Sequence, residues 1–280
     1  MVDKMNSWME SYLTIDGIRT HVTTAGKGKE IVLIHGLGGP LMWQRLVGPL
    51  AESFRVTVID LPGFGDSNPP PFDHSPGEYA AFILHCLDAL RCDEVILVGI
   101  SYGGQIVVHF ASCYAERVEK LVLICSTGLM TEPFIMRNDQ RWALFSAIIR
   151  ATVLRSEKLL CALGARSFFR VQNRPPDLCR EFYRQLSANG KRKAWCAGFR
   201  NSFSDPKEFQ TMLDHIESPA LIVWGENDRT VPPRYAEEFC AHLKNSHVVR
   251  FPECAHSVPL EKPLELCAAI SHFTSNAVPV

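Results

Sequence analysis

The 280-residue sequence has no Cys-x-x-Cys pair and no histidine cluster at ligand spacing, so no metal site is expected. No apolar run is long enough to cross a bilayer. The opening stretch MVDKMNSWMESYL lacks the apolar core of a secretory signal, and the chain is expected to be soluble, cytoplasmic and not secreted. Neither sign of charge is in surplus: 29 Lys+Arg face 30 Asp+Glu, a net charge of −1, which removes the basic footprint of a nucleic-acid binder. The ten cysteines show no framework of paired spacings. Cys86, Cys92, Cys113, Cys125 and Cys267 fall inside apolar segments, as free thiols of a reducing compartment do.

What is present is alternation. The length suits one α/β domain with an insertion, or two small domains. Residues 12–25 read as a hairpin, with Asp16-Gly17 supplying the positive φ angles of a two-residue turn. Short β-branched runs at 30–36, 55–60, 95–98, 118–125, 219–225 and 246–252 read as strands, mostly buried. Between them the spacing predicts helices over Met42–Phe54, 78–90, the residues after 101, 233–243 and 263–273. Strands alternating with helices imply a mostly parallel, doubly wound sheet, and such sheets bind ligands outside the carboxyl ends of their strands.

The loops at those ends carry the chemistry. Gly99-Ile100-Ser101-Tyr102-Gly103 is a G-x-S-x-G pattern joining a strand to a helix, which holds a serine on a sharp turn with its hydroxyl exposed. A nucleophilic serine needs a base, and the base a carboxylate to fix its tautomer. His256 lies in the loop after VVRFP, and Asp228 in the loop after LIVWG, where Glu226 competes with it. The backbone N–H of Tyr102, at a helix N-terminus, is a natural donor to a developing oxyanion.

Five segments in order, HGLGG at 35–39, DLPGFGDS at 60–67, GISYGG at 99–104, WGENDRTVP at 224–232 and CAHSVPLEKP at 254–263, resemble the α/β-hydrolase superfamily. The likeness is to its capped branch, which includes carboxylesterases, enol-lactone hydrolases and meta-cleavage product (carbon-carbon bond) hydrolases. It implies Ser101 as nucleophile, His256 as base and Asp228 as its carboxylate, since Gly225, Asp228 and Pro232 match the family's G-x-x-D-x-x-x-P pattern. It also implies Leu37 N–H as the second oxyanion donor, a shaping role for His35 and DLPGFG, and no cofactor. Relatives with an aspartate nucleophile, the epoxide hydrolases and haloalkane dehalogenases, are set aside because Ser101 holds that position.

The resemblance is weakest between residues 130 and 205, expected as a helical cap inserted after the sixth strand, with 1–129 and 206–280 forming the two parts of the core. DQRWALFSAIIRATVL, EKLLCALGARSFF, PDLCREFYRQLSA and KRKAWCAGFRNSF read as its four helices. Gly36, Trp142, Phe145, Trp195 and Val258 are the expected pocket residues. Residues 130–203 hold 14 Lys/Arg against 5 Asp/Glu, so this segment is +9 and the remainder −10. Arg180 and Arg184, one turn apart, are candidates for steering anionic substrates. The expected activity is hydrolysis of carboxylic esters of small to medium acyl chain by a monomer or homodimer, with a small-molecule ester and water as its partners. Carbon-carbon bond hydrolysis or lactone opening on the same triad is the alternative, and Ser257 stands where carbon-carbon bond hydrolases usually have Trp. A hydrolase-fold receptor is the reading from another class.

Overall fold

The computed structural model describes residues 8–131, 133 and 138–275, so the first seven residues of the opening stretch read above lie outside it. The strands are β1 (Met9–Ile15), β2 (Ile18–Gly26), β3 (Lys29–Ile34), β4 (Phe54–Ile59), β5 (Val95–Ile100), β6 (Val118–Ile124), β7 (Ala220–Gly225) and β8 (Ser246–Phe251). They form one sheet in the order β1-β2-β4-β3-β5-β6-β7-β8. β1 and β2 are an antiparallel hairpin turning on Asp16 and Gly17, both at positive φ, and β2 runs antiparallel to β4. The remaining pairs are parallel. All six residues of β5 are buried, as expected of a central strand covered on both faces.

The helices are α1 (Val47–Ala51), α2 (Pro76–Leu90), α3 (Tyr102–Cys113), α4 (Asp139–Ala151), α5 (Glu157–Gly164), α6 (Leu178–Leu186), α7 (Lys191–Asn201), α8 (Pro206–Asp214), α9 (Tyr235–His242), α10 (Val258–Glu261) and α11 (Pro263–Ser275). Strand order reverses direction between β3 and β5: the chain goes outward from β3 to β4, then returns to build β5 on the other side. The loops after β3 and β5 diverge there and open the crevice in which sheets of this kind bind ligands.

One expected helix is broken. Met42–Phe54 is a 3-10 turn over Pro40–Trp43 followed by the single short helix α1. Pro49, the third residue of α1, explains it: it has no N–H to give and its ring would meet the carbonyl of Arg45 one turn back, so a helix running through from Met42 is interrupted there.

Helices α4–α7, the segment expected as the cap, follow β6 and share a small core of their own made by Trp142, Leu154, Leu160, Leu186 and Cys196. Leu154 is fully buried in it. Leu154→Ala should therefore cost about 2–5 kcal/mol, seen as a lower urea midpoint; an unchanged midpoint would mean that this second core adds nothing to stability.

Candidate active site

Ser101 leaves β5 and starts α3 with φ 56° and ψ −122°, a left-handed conformation that a side chain rarely tolerates and that costs on the order of 1–3 kcal/mol. The surroundings hold it there. Its N–H donates to Ile124 O at 2.9 Å, and its carbonyl accepts from Gly104 N–H at 2.9 Å and Thr127 N–H at 3.1 Å. Gly103 permits the turn: a Cβ there would lie 2.3 Å from Ile34 O and 2.6 Å from His35 O. The first turn of α3 is thus pressed onto the end of β3.

His256 and Asp228 meet because the loops after β7 and β8 are stitched together. Glu226 N–H donates to Phe251 O at 3.0 Å and Asn227 N–H to Cys254 O at 2.9 Å. Asp228, fully buried, accepts the Nδ1–H of His256 at 2.7 Å, whereas Glu226 points to solvent. The other Asp228 oxygen accepts Thr230 N–H at 2.7 Å and Val231 N–H at 3.0 Å. Both carboxylate oxygens are fixed, which leaves Nε2 of His256 as the ring's acceptor. A residue not foreseen from sequence completes the cluster: the buried Cys125 thiol lies beside Asp228, and burial together with that carboxylate pushes it well up, keeping it protonated. Cys125, Asp228 and His256 offer ligand atoms within 4.8 Å of one another, but a protonated thiol and an engaged Asp–His pair make a poor metal site.

The loop after β3 is held by His35. Leu61 N–H donates to its Nε2 at 3.0 Å, so Nδ1 carries the proton and donates to Gly36 O at 2.7 Å. Desolvation in this sealed position lowers the His35 pKa and keeps the ring neutral. Gly36 lies against the serine turn, where a Cβ would come 2.8 Å from Ile100 O, 3.0 Å from Ser101 Cβ and 3.1 Å from Tyr102 N. The N–H groups of Leu37 and Tyr102 therefore flank Ser101, and neither has a protein acceptor among the described residues. The DLPGFG loop is organised by Asp60, which accepts His21 Nδ1–H and Asp66 N–H, each at 2.9 Å.

Ser101 and His256 line one cavity of about 350 Å³ under the cap, without a direct hydrogen bond between their side chains. Such contacts are often long until substrate is bound. Gly36, Leu37 and Trp195 also line it. Three expected lining residues do not. Trp142 packs in the cap core with Phe145 at 5.8 Å between ring centres, and Val258 is fully buried in the main core at the start of α10. The apolar wall comes instead from Met42, Leu160, Leu163, Phe168, Phe182 and Phe199. Arg166, Arg174 and Arg229 line the cavity as well, with no aspartate or glutamate among the lining residues. Arg166 and Arg229 make no hydrogen bond or ion pair among the described residues. Arg180 and Arg184 lie outside the cavity and pair with Asp177 and Glu181.

Residues 29–263 match the family model described as "alpha/beta hydrolase fold". A 2-hydroxy-6-oxononadienedioate/2-hydroxy-6-oxononatrienedioate hydrolase of Klebsiella pneumoniae subsp. pneumoniae is 32% identical over 93% of this chain and 92% of its own length. Among solved structures, a bacterial membrane phospholipase A superposes with a TM-score of 0.74 at 27% identity, over 96% of this chain and 86% of that one. The 2-hydroxy-6-oxo-6-phenylhexa-2,4-dienoate hydrolase of Rhodococcus sp. strain RHA1 superposes with a TM-score of 0.81 at 20% identity, over 97% and 100%, a likeness of fold.

Below Tyr102, whose hydroxyl donates to His74 O, the His74 ring is lowered by burial to about 4. His74 and His35 stay neutral in the folded chain while their unfolded counterparts take up protons below about pH 6.5, so stability should fall as pH drops from there toward 4. His21 works the other way: its hydrogen bond to Asp60 raises its pKa, so its contribution is full below pH 6.5 and is lost as pH rises through the raised value. His74→Asn, a residue that tolerates the positive φ found there, should reduce the acid loss by about 2–3 kcal/mol in urea titrations at stepped pH. An unchanged acid slope would show that His74 is not one of its sources.

Proposed function

The chain belongs to the α/β-hydrolase fold family, and from that premise we propose that it hydrolyses the carbon-carbon bond beside a ketone in substrates that carry a carboxylate. The observation that carries this reading is a serine and an aspartate-bound histidine on one apolar cavity whose charged lining residues are three arginines. The relative from Klebsiella, whose name gives a dienedioate substrate, supports it.

Ser101 Oγ attacks the ketone carbon as His256 Nε2 takes its proton, and Asp228 stabilises the imidazolium. The N–H groups of Leu37 and Tyr102 hold the oxyanion, each worth on the order of 10²–10³ in rate. Collapse breaks the carbon-carbon bond. The electron pair leaves on carbon, which is feasible when that carbon is conjugated to a 2-keto acid formed by moving the 2-hydroxyl proton onto the chain. His256 returns its proton to the leaving fragment, then activates water to free the acid from Ser101. The arginines hold the carboxylate, and the apolar wall takes the body of the acyl part. The cap comprises residues 130–205, and 1–129 with 206–280 form the core.

Ester hydrolysis is the second reading, favoured by Ser257, a small buried residue directly after His256 where carbon-carbon bond hydrolases usually carry Trp. The likeness to a phospholipase A supports it too. Steady-state kinetics on a 2-hydroxy-6-oxo-dienoate and on p-nitrophenyl esters of graded length separate the two. We expect the dienoate to lead in kcat/KM by about 10² or more, the scale of discrimination a polar site provides. Asp228→Asn should lower kcat by roughly 10⁴, and Ser101→Ala should abolish both activities. Arg174→Gln and Arg229→Gln should each weaken kcat/KM for the acid by about tenfold or more, the worth of a charged hydrogen bond, and leave neutral esters unaffected. Rapid ester turnover with an inert dienoate would overturn the carbon-carbon reading in favour of the ester one.

A further inference from the structure

The segment CAHSVPLEKP holds a glutamate, Glu261, that has no part in the chemistry above. Leu260 N–H and Glu261 N–H donate to Ser257 O at 2.9 and 3.0 Å, so α10 begins directly behind His256. Folded back in this way, the half-buried Glu261 accepts Ala255 N–H on Oε2 at 2.9 Å, and the Cys254 thiol lies 3.9 Å from the same oxygen. Its Oε1 accepts Phe169 N–H at 2.9 Å and Asn173 Nδ2–H at 3.3 Å, both from the stretch between α5 and α6. Ser257 N–H donates to Ser167 O, in that same stretch, at 2.9 Å. The residues on either side of His256 are therefore both anchored to 167–173, one directly and the other through Glu261. Arg45, on the chain after β3, closes the junction: its Nη1 donates to Leu260 O at 2.8 Å and to Asn173 O at 3.2 Å. Glu261, Asn173 and Arg45 all lie outside the lining of the cavity that holds Ser101.

We propose that Glu261 is a positioning residue: by fastening the histidine loop to residues 167–173, it sets the reach of His256 Nε2 toward Ser101. The inference rests on the reading above that His256 is the base for Ser101. Among the described residues no hydrogen bond joins the two side chains, so the loop rather than the pair itself fixes their separation. A misplacement of about 1 Å in a reacting group can cost about 10²-fold in rate. A carboxylate suits the task because it only accepts and has two oxygens, so one side chain holds a backbone N–H from each partner. An amide of the same shape satisfies one of them and turns its own N–H₂ toward the other. The stretch 167–173 also carries Ser167 and Phe168 into the cavity wall, so whatever moves that wall moves the base with it.

The test uses the full chain and a fluorophosphonate, whose attack by Ser101 needs the same base whatever the natural substrate. Its rate reports the reach of His256, and its end-point counts competent molecules. Glu261→Ala should slow labelling by about tenfold to 10²-fold, and Glu261→Gln by less, while both still reach the wild-type end-point. With the preferred substrate the loss should fall on kcat and leave KM little changed. Asn173→Ala, which removes a contact on the 167–173 side alone, serves should Glu261→Ala fold poorly. It too should slow labelling, and combined with Glu261→Gln its effect should be smaller than the product of the two, as for residues that act through one contact. Wild-type labelling rates in the Glu261 variants would overturn the proposal. A lowered end-point with an unchanged rate would do the same, since it marks a role in folding alone. A dienoate left intact by a protein whose Glu261 variants label slowly would overturn the carbon-carbon reading and support this one.

Discussion

A single left-handed residue, Ser101, governs the arrangement of everything around it. At φ 56° the chain can leave the buried strand β5 and enter α3 within one step, so the hydroxyl stands above the sheet instead of inside it. The strain of about 1–3 kcal/mol is small beside the burial of β5 and its neighbours, which fixes both ends of the turn. Because the turn is so tight, the backbone of α3 touches the end of β3 at Gly103, and the loop after β3 touches the turn at Gly36. The N–H groups of Leu37 and Tyr102, without a protein acceptor among the described residues, come to flank the serine as a consequence of that packing. His35, held in one tautomer between Leu61 N–H and Gly36 O, keeps the loop from relaxing away.

The cap divides its apolar residues between two tasks. Trp142, Phe145 and Leu154 consolidate its own small core, while Leu160 and Trp195 belong to that packing and also reach the cavity. The charge is divided too. Arg180 and Arg184 are answered by the neighbouring carboxylates Asp177 and Glu181, but the Arg166 and Arg229 side chains are unanswered among the described residues. A net +9 over residues 130–203 therefore says less about substrate than the placement of a few guanidinium groups does. An unneutralised charge beside an apolar wall gains more from an anionic ligand than the same charge in open water, because screening is weaker there.

Much of the fold and the meeting of Ser101, Asp228 and His256 on one side of the sheet could be read from sequence, since both follow local rules. Buried parallel strands announce themselves as β-branched runs, Asp16-Gly17 marks its turn, and topology carries the loops after the strands to one edge. The lining of the cavity was less legible. Phe145 and Phe199 both lie in segments read as helices, and whether a ring faces the cap core or the cavity depends on how helices α4 and α7 are rotated in the assembled cap. Val258, an expected pocket residue two positions after His256, is turned by α10 into the main core. Cys125 carries no sequence signal for its place beside Asp228. Arg229 did, in part: it directly follows the carboxylate and could have been placed at the site from that alone. The helix expected at Met42–Phe54 failed on a local rule that was visible, Pro49.

Covalent catalysis by Ser101 is the chemistry proposed for this geometry. Rapid quenching of the wild-type protein during turnover, followed by intact-mass and peptide analysis, tests it most directly. An acyl adduct on the peptide containing Ser101 should form before, and decay with, release of the acid, and should accumulate when hydrolysis is slowed. Product formed at full rate with no adduct at any quench time, or an adduct on another residue, would contradict it.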